Sequence, residues 1–146
     1  MNEEHPLVRA FLDGGSRPMA MAGPLAESLN SVVIALDPTA GSASVAFTPD
    51  ERFLQGAGVI QGGIVTAMLD YAMAIAAFTR LPPGRSFGTV SLTSHFLKPC
   101  LPGRHLARGR LERMGSRMIF AAAELERDGA PGLVATATSV MAVTSV

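Results

Sequence analysis

The stretch Gly62 to Thr79, GGIVTAMLDYAMAIAAFT, limits what this chain can fold into more than any other part of it. Its periodicity is helical, almost every position is apolar, and Asp70 is its one charged residue. A helix that is apolar all round must be enclosed by the rest of a protein. Ile64, Met68, Tyr71, Ile75 and Phe78 recur at spacings of four and three, the stripe that a helix lays against a sheet. Asp70 lies about 120° from that stripe, among Gly63, Ala67, Ala74 and Ala77. An unpaired buried carboxylate costs several kcal/mol, so Asp70 needs a compensating role, either in chemistry or in pairing across an interface.

Gln61-Gly62-Gly63 opens this helix. First-turn N–H groups have no intrahelical acceptor, and the helix dipole adds partial positive charge there. Without a Cβ, glycine lets a carbonyl oxygen approach those groups, which makes an oxyanion site; the same glycines also serve a tight turn and close packing. Gly62 and Asp70 are eight residues apart. At helical rise that is about 12 Å, too far for both to serve one reacting carbonyl. If both take part, they come from different chains, as in a symmetric dimer with helices running past each other.

The pattern GxxQGGxxxxxxD, carried by Gly58, Gln61, Gly62, Gly63 and Asp70, resembles the signature of hotdog-fold acyl-CoA thioesterases of the 4-hydroxybenzoyl-CoA and phenylacetyl-CoA type. The similarity runs from about Pro24 to the C-terminus. In that family the turn is ordinarily His-Gly-Gly, so Gln61 is a departure: it can hydrogen-bond but does not titrate near neutral pH.

The order of elements agrees with this resemblance. His5 to Asp13 reads as a short amphipathic helix, 14–23 as a mobile loop, and Pro24 to Leu29 as one helical turn with proline at its first position. Strands are expected at Ser31–Leu36 and Ser42–Thr48, then, beyond Pro82-Pro83-Gly84, at Phe87–Leu97, Arg104–Met114, Arg117–Arg127 and Leu133–Val143. The expectation is an α+β protein, an antiparallel sheet of about six strands wrapped around one long central helix, with residues 24–146 as a single domain behind an N-terminal segment 1–23.

With 146 residues there is room for one core and not two. Twelve basic and twelve acidic residues give no general attraction for nucleic acid, and the low charge content suggests surface buried between subunits. The N-terminus is acidic and amphipathic, unlike a secretory signal, and the apolar helix carries Asp70 and ends at Arg80, unlike a membrane span; the cytoplasm is the expected location. Cys100 stands alone, and His5, His95 and His105 have no metal-ligand spacing, so neither disulfide nor metal is expected. No GxSxG or phosphate-loop motif occurs.

The resemblance implies hydrolysis of an acyl-CoA thioester by at least a homodimer, and by a dimer of dimers in the fullest form of the expectation, with coenzyme A as part of the substrate and no separate cofactor. It implies Asp70 as base or nucleophile and the Gly62 N–H as polariser of the carbonyl, with Gln55 as an amide donor to the thioester; a solvated loop glutamine is the alternative for Gln55. Thr89 aligns with a Ser or Thr that holds the attacking water in some relatives, the other such position being Ala74 here. On strict alternation Thr89 lies opposite Val90 and Leu92 and reaches the site only if the strand bends or a partner brings it near. Gln61 and Gly63 complete the turn that meets the substrate, Tyr71 and Phe53 hold an aromatic or medium-chain acyl group, and Arg85, Lys98, Arg113 and Arg117 are placed for the phosphates of coenzyme A. A non-catalytic acyl-CoA-binding module is the leading alternative. A hotdog dehydratase follows, disfavoured because it needs a histidine near the helix opening.

Overall fold

The computed structural model describes residues 4–15 and 17–146. In chain order the helices are α1 (Glu4–Asp13), α2 (Pro24–Ser28) and α3 (Gly62–Phe78). The strands are β1 (Met19–Ala20), β2 (Val32–Asp37), β3 (Ser42–Phe47), β4 (Arg85–Phe96), β5 (His105–Met114), β6 (Met118–Arg127) and β7 (Leu133–Ser145). They form one antiparallel sheet in the order β1-β2-β3-β5-β6-β7-β4. The sheet wraps α3, which is the expected hotdog arrangement. It has one strand more than the sequence suggests: Met19 and Ala20, within the expected loop, pair with Val33 and Val32.

The core is built from both layers: α3 supplies Met68, Leu69, Met73, Ile75 and Phe78, and the strands supply Phe47, Ile119, Leu125 and Met141 interspersed with the buried alanines Ala43, Ala107, Ala121, Ala123, Ala135 and Ala137. Each large side chain so enclosed stabilises the fold by about 1.5–3 kcal/mol. Closest approach is at Gly109 of β5, where an added Cβ would lie 2.3 Å from the carbonyl oxygen of Ala72. Val8 and Phe11 of α1 and Met21 beyond β1 are buried in the same core, so the N-terminal segment packs on it. α3 stops at Thr79, whose hydroxyl donates to the Ala76 carbonyl at 2.7 Å, and Leu81-Pro82-Pro83 turns the chain into β4. No helix among the described residues is long and apolar enough to cross a membrane.

The order leaves β4 at one edge of the sheet, hydrogen-bonded among the described strands to β7 alone. It is 12 residues long, contains neither Lys nor Pro, and leaves Val90 63% exposed. Such an edge is an open template for another strand.

Candidate active site

β4 runs back along the face of α3 that carries Asp70. Four contacts mark its course: Phe87 on Phe78, with ring centroids 4.8 Å apart; Thr89 on Asp70; Ser94 on Thr66; and Phe96 over Gly62. Strict alternation could not put odd-numbered residues 87 and 89 and even-numbered residues 94 and 96 on one face. The register against β7 shifts between Thr89 and Ser91, leaving Val90 as an extra residue. This bulge moves Thr89 to the helix face of the strand, which is the bend its side chain needed to reach the acid.

Thr89 Oγ1 donates to Asp70 Oδ1 at 3.4 Å. Burial pushes the Asp70 carboxyl above its usual range, and the Thr89 hydroxyl pulls it part of the way back. Around it Ala67 and Ala74 are half-buried, and Gly63 is exposed with open space where a Cβ would stand. The acid is therefore sheltered by β4 and reachable along a strip of small residues.

The glycine turn is pinned from both sides. Ile60 N donates to the Cys100 carbonyl at 2.7 Å, Gln61 N donates to the Phe53 carbonyl at 2.9 Å, and Leu54 bridges to Ile60. Gln61 caps α3 through its backbone carbonyl, which accepts from Ile64 and Val65, while its side chain makes no cap hydrogen bond. Beside this turn is a cavity of about 430 Å³ lined by Gln55, Ile60, Gly62, Val65, Phe96 and Lys98. Gln55 Oε1 accepts from Ala57 N at 2.9 Å, and Gly58, at φ 76°, closes the turn by donating to the Gln55 carbonyl. That leaves the Gln55 amide nitrogen as the donor free to serve the cavity.

Asp70 and Gly62 are both on α3, about 12 Å apart along its axis. Thr89 joins the former, and Gln55 joins the latter. The chain thus carries two separate clusters of polar groups, one at each place. Tyr71 joins neither: it is buried, with its ring edge-on to Phe47 at 5.9 Å, because one step of about 100° from Asp70 turns it into the core. Phe53 is half-buried beneath the Arg52 guanidinium, 5.3 Å from its ring centroid, and does not line the cavity. Lys98 does, with its ammonium tethered to the Pro131 carbonyl at 2.8 Å. Arg85 is at the opposite end of α3, near Arg80, and Arg113 and Arg117 are exposed on the β5–β6 hairpin.

Two features had little signal in the sequence. Phe96 stands over Gly62, its ring 3.4 Å from where a Cβ would be. At the wall of the cavity, which Cys100 also lines, the Cys100 sulfur is 3.3 Å from Nε2 of the fully buried His105, whose Nδ1 is 3.0 Å from the Gly103 carbonyl. Burial lowers the His105 pKa and pushes the Cys100 thiol up to about 11, so this is a neutral pair in which the thiol donates to the imidazole.

The Thioesterase superfamily profile matches residues 57–132, which span the glycine turn, all of α3 and the strands as far as the β6–β7 turn. Among solved structures, a phenylacetic acid degradation-related protein of Ralstonia eutropha JMP134 is 34% identical, with a TM-score of 0.82 over 97% of this chain and 99% of that one. A thioesterase family protein from Silicibacter pomeroyi is 25% identical, with a TM-score of 0.80 over 98% and 99% of the two chains. A mutant of the phenylacetic acid degradation protein PaaI from Thermus thermophilus is 29% identical, with a TM-score of 0.71 over 82% and 98%. No curated protein matches the chain. The profile match to more than half of the chain, together with the sheet wrapped around α3, identifies it as a hotdog-fold member of the thioesterase superfamily.

Proposed function

We propose that the protein is an acyl-CoA thioesterase whose active sites lie between two copies of the chain. The carrying observation is that the one acid of α3 and the glycine turn that opens it are about 12 Å apart on one rigid helix, beneath an edge strand whose outer side pairs with no strand among the described residues. Pairing β4 with the β4 of a second copy covers that edge and carries the helices past each other in opposite directions. Asp70 then meets the partner's glycine turn, and two equivalent sites result.

In each site the Gly62 N–H polarises the thioester carbonyl, with the Gln55 amide as a second donor. Asp70, as carboxylate, takes a proton from water held by the Thr89 hydroxyl, or attacks the carbonyl itself. Either route consumes one water and yields a carboxylic acid and the thiol of coenzyme A. The substrate class is an aromatic or medium-chain acyl-CoA. Ile60, Val65 and Phe96 supply apolar cavity walls, and the Ralstonia and Thermus relatives are described by phenylacetic acid degradation.

The test is release of free thiol from phenylacetyl-CoA and from a chain-length series of acyl-CoAs. The parent protein is expected to turn over, and Asp70→Asn to abolish turnover while leaving the oligomer intact. Tight binding of acyl-CoA by the parent with no release would establish the non-catalytic module instead.

A further inference from the structure

A second cavity lies at the far end of α3 from the glycine turn, bounded by the start of β4, the end of β7 and the β5–β6 turn. It encloses about 410 Å³, a volume suited to a small-molecule ligand. Its lining divides by chemistry. Leu81, Pro82, Met114 and Val143 give an apolar floor, and the side chains around it that can hydrogen-bond are Arg80, Arg85 and Ser116. Arg85 Nη2 donates to the Ser116 carbonyl at 3.1 Å, which fixes that guanidinium and leaves its other N–H groups open. The Arg80 stem is held as well, its Cδ 3.1 Å from where a Cβ on Gly41 would stand. Among the described residues, ion pairs engage Arg104, Arg108 and Arg110 with Asp128, Glu126, Glu124 and Glu112, and none involves Arg80 or Arg85. Two positioned cations outside those pairs therefore stand over apolar surface.

We infer that this cavity is a second binding site for an apolar monocarboxylate, the class of acid that thioester hydrolysis releases, with the carboxylate on Arg80 and Arg85 and the hydrocarbon body on the floor. The inference rests on the thioesterase reading above and extends it to the product. The open N–H groups of a guanidinium match the two oxygens of a carboxylate, and the floor matches an apolar body. A sugar or nucleotide brings hydroxyls and ring nitrogens that this floor would strip of water with nothing in exchange. The acyl end of a thioester is uncharged and gains its negative charge on hydrolysis, so the two cations select the released acid over its precursor. The site is apart from the candidate acid. Arg80 is ten residues beyond Asp70 on and just past α3, about 15 Å at helical rise, and Arg85 is four residues before Thr89 on β4, about 13 Å at strand rise. β4 joins the two places. Val143 on the cavity floor pairs with Phe87, which packs on Phe78 at 4.8 Å and precedes Thr89 by two residues. A ligand that bridges Arg85 and Val143 thus restrains the strand pair that holds Thr89 against Asp70, and the bound acid slows further turnover.

The test titrates the protein by calorimetry with phenylacetate, octanoate, the uncharged phenylacetamide and ADP, and repeats this with Arg80→Gln/Arg85→Gln. Melting curves check that the variant is folded. Both acids are expected to bind the double variant about tenfold or more weakly than the parent, and the parent more weakly at higher salt. Phenylacetamide, of the same shape, should bind the parent about tenfold or more weakly than phenylacetate. Phenylacetate should bind Asp70→Asn as tightly with phenylacetyl-CoA in place as without it. In turnover, added phenylacetate should lower kcat in the parent and not in the double variant. No binding of either acid by the parent, equal affinity in parent and double variant, or an amide that binds as tightly as the acid overturns the inference. So does displacement of phenylacetate by phenylacetyl-CoA, which would place the acid in the active site, and so does the same response of kcat in parent and double variant. ADP binding as tightly as the acids, and lost in the double variant, would make the cavity a phosphate site and also overturn it. Carboxylate binding is read without turnover, so failure of the hydrolase reading is distinguishable from failure of this one.

Discussion

If each active site combines Asp70 of one copy with Gly62 of the other, two inactive variants must rescue each other. The first variant is Asp70→Asn, which keeps size and removes the base; loss of such a group slows catalysis by about 10²–10⁴-fold. The second must remove the Gly62 N–H without disturbing the helix. Gly62→Pro does so: position 62 is the first residue of α3, where proline is well tolerated, and Gln61, at φ −58° and ψ 137°, already has the extended geometry that a residue before proline adopts. The nearest obstacle to a side chain there is the exposed Phe96 ring, which can move. Loss of one oxyanion donor costs about 10²–10³-fold in kcat.

Mixing the two variants in equal amounts, with subunit exchange, makes about half of the dimers mixed. Each mixed dimer has one site with both defects and one with neither, so about a quarter of all sites become native. Thiol release in the mixture should then recover to about a quarter of the parent rate, from about 1% or less in either variant alone. A site built within one chain predicts no gain at all, since every chain in the mixture keeps one of the two defects. Mixed dimers isolated through two different affinity tags that show no gain would refute the shared site, as would full activity in Gly62→Pro alone.

In the proposed reaction Asp70 acts as carboxylate, and burial holds its carboxyl above the ordinary range, so kcat/KM should fall with decreasing pH along a limb above the usual carboxylate value of about 4. Thr89→Val removes the hydrogen bond that favours the charged form and should move that limb to higher pH; a downward shift would contradict the assignment. A carboxyl whose folded pKa is raised adds stability only at low pH and loses it as pH rises through that value, so Asp70→Asn should melt above the parent at pH 7, by about 2–4 °C per kcal/mol recovered, with the gap closing in acid. Gly109→Ala puts a methyl 2.3 Å from the Ala72 carbonyl oxygen and 2.9 Å from Met73 N, both helix backbone, and should destabilise by about 3 kcal/mol or more in denaturant titration; a loss below about 1 kcal/mol would mean that α3 can withdraw. Cys100, buried with a pKa of about 11, should alkylate slowly at pH 7 and gain rate steadily as pH rises toward that value; rapid labelling at neutral pH would show the pair with His105 to be an activated thiolate.

What was legible in the sequence and what was not divide along physical lines. α3 was legible nearly to the residue because a long apolar run with a regular stripe has one way to be buried, and β5, β6 and β7 because glycine turns and alternation bracket them. β1 was not, since a two-residue strand has no periodicity and owes its existence to the edge of β2. Tyr71 shows how two readings of one helix can compete: its place in the stripe with Met68 and Ile75 decides for the core, and proximity in sequence to Asp70 counts for nothing against a rotation of about 100°. Thr89 is the instructive position. The residues Thr89-Val90-Ser91 contain no glycine or proline to announce a bulge, so alternation read from Val90 and Leu92 puts Thr89 on the wrong face. The bulge becomes visible only when β7 supplies the register and α3 supplies contacts at Phe78, Asp70, Thr66 and Gly62 that must all be met from one strand. With a strict two-residue period β4 could satisfy the contacts at its start or those at its end. One extra residue, Val90, lets the same strand seat Phe87 and Thr89 against the C-terminal half of α3 and Ser94 and Phe96 against its opening, and so links the candidate acid to the glycine turn through a single edge strand.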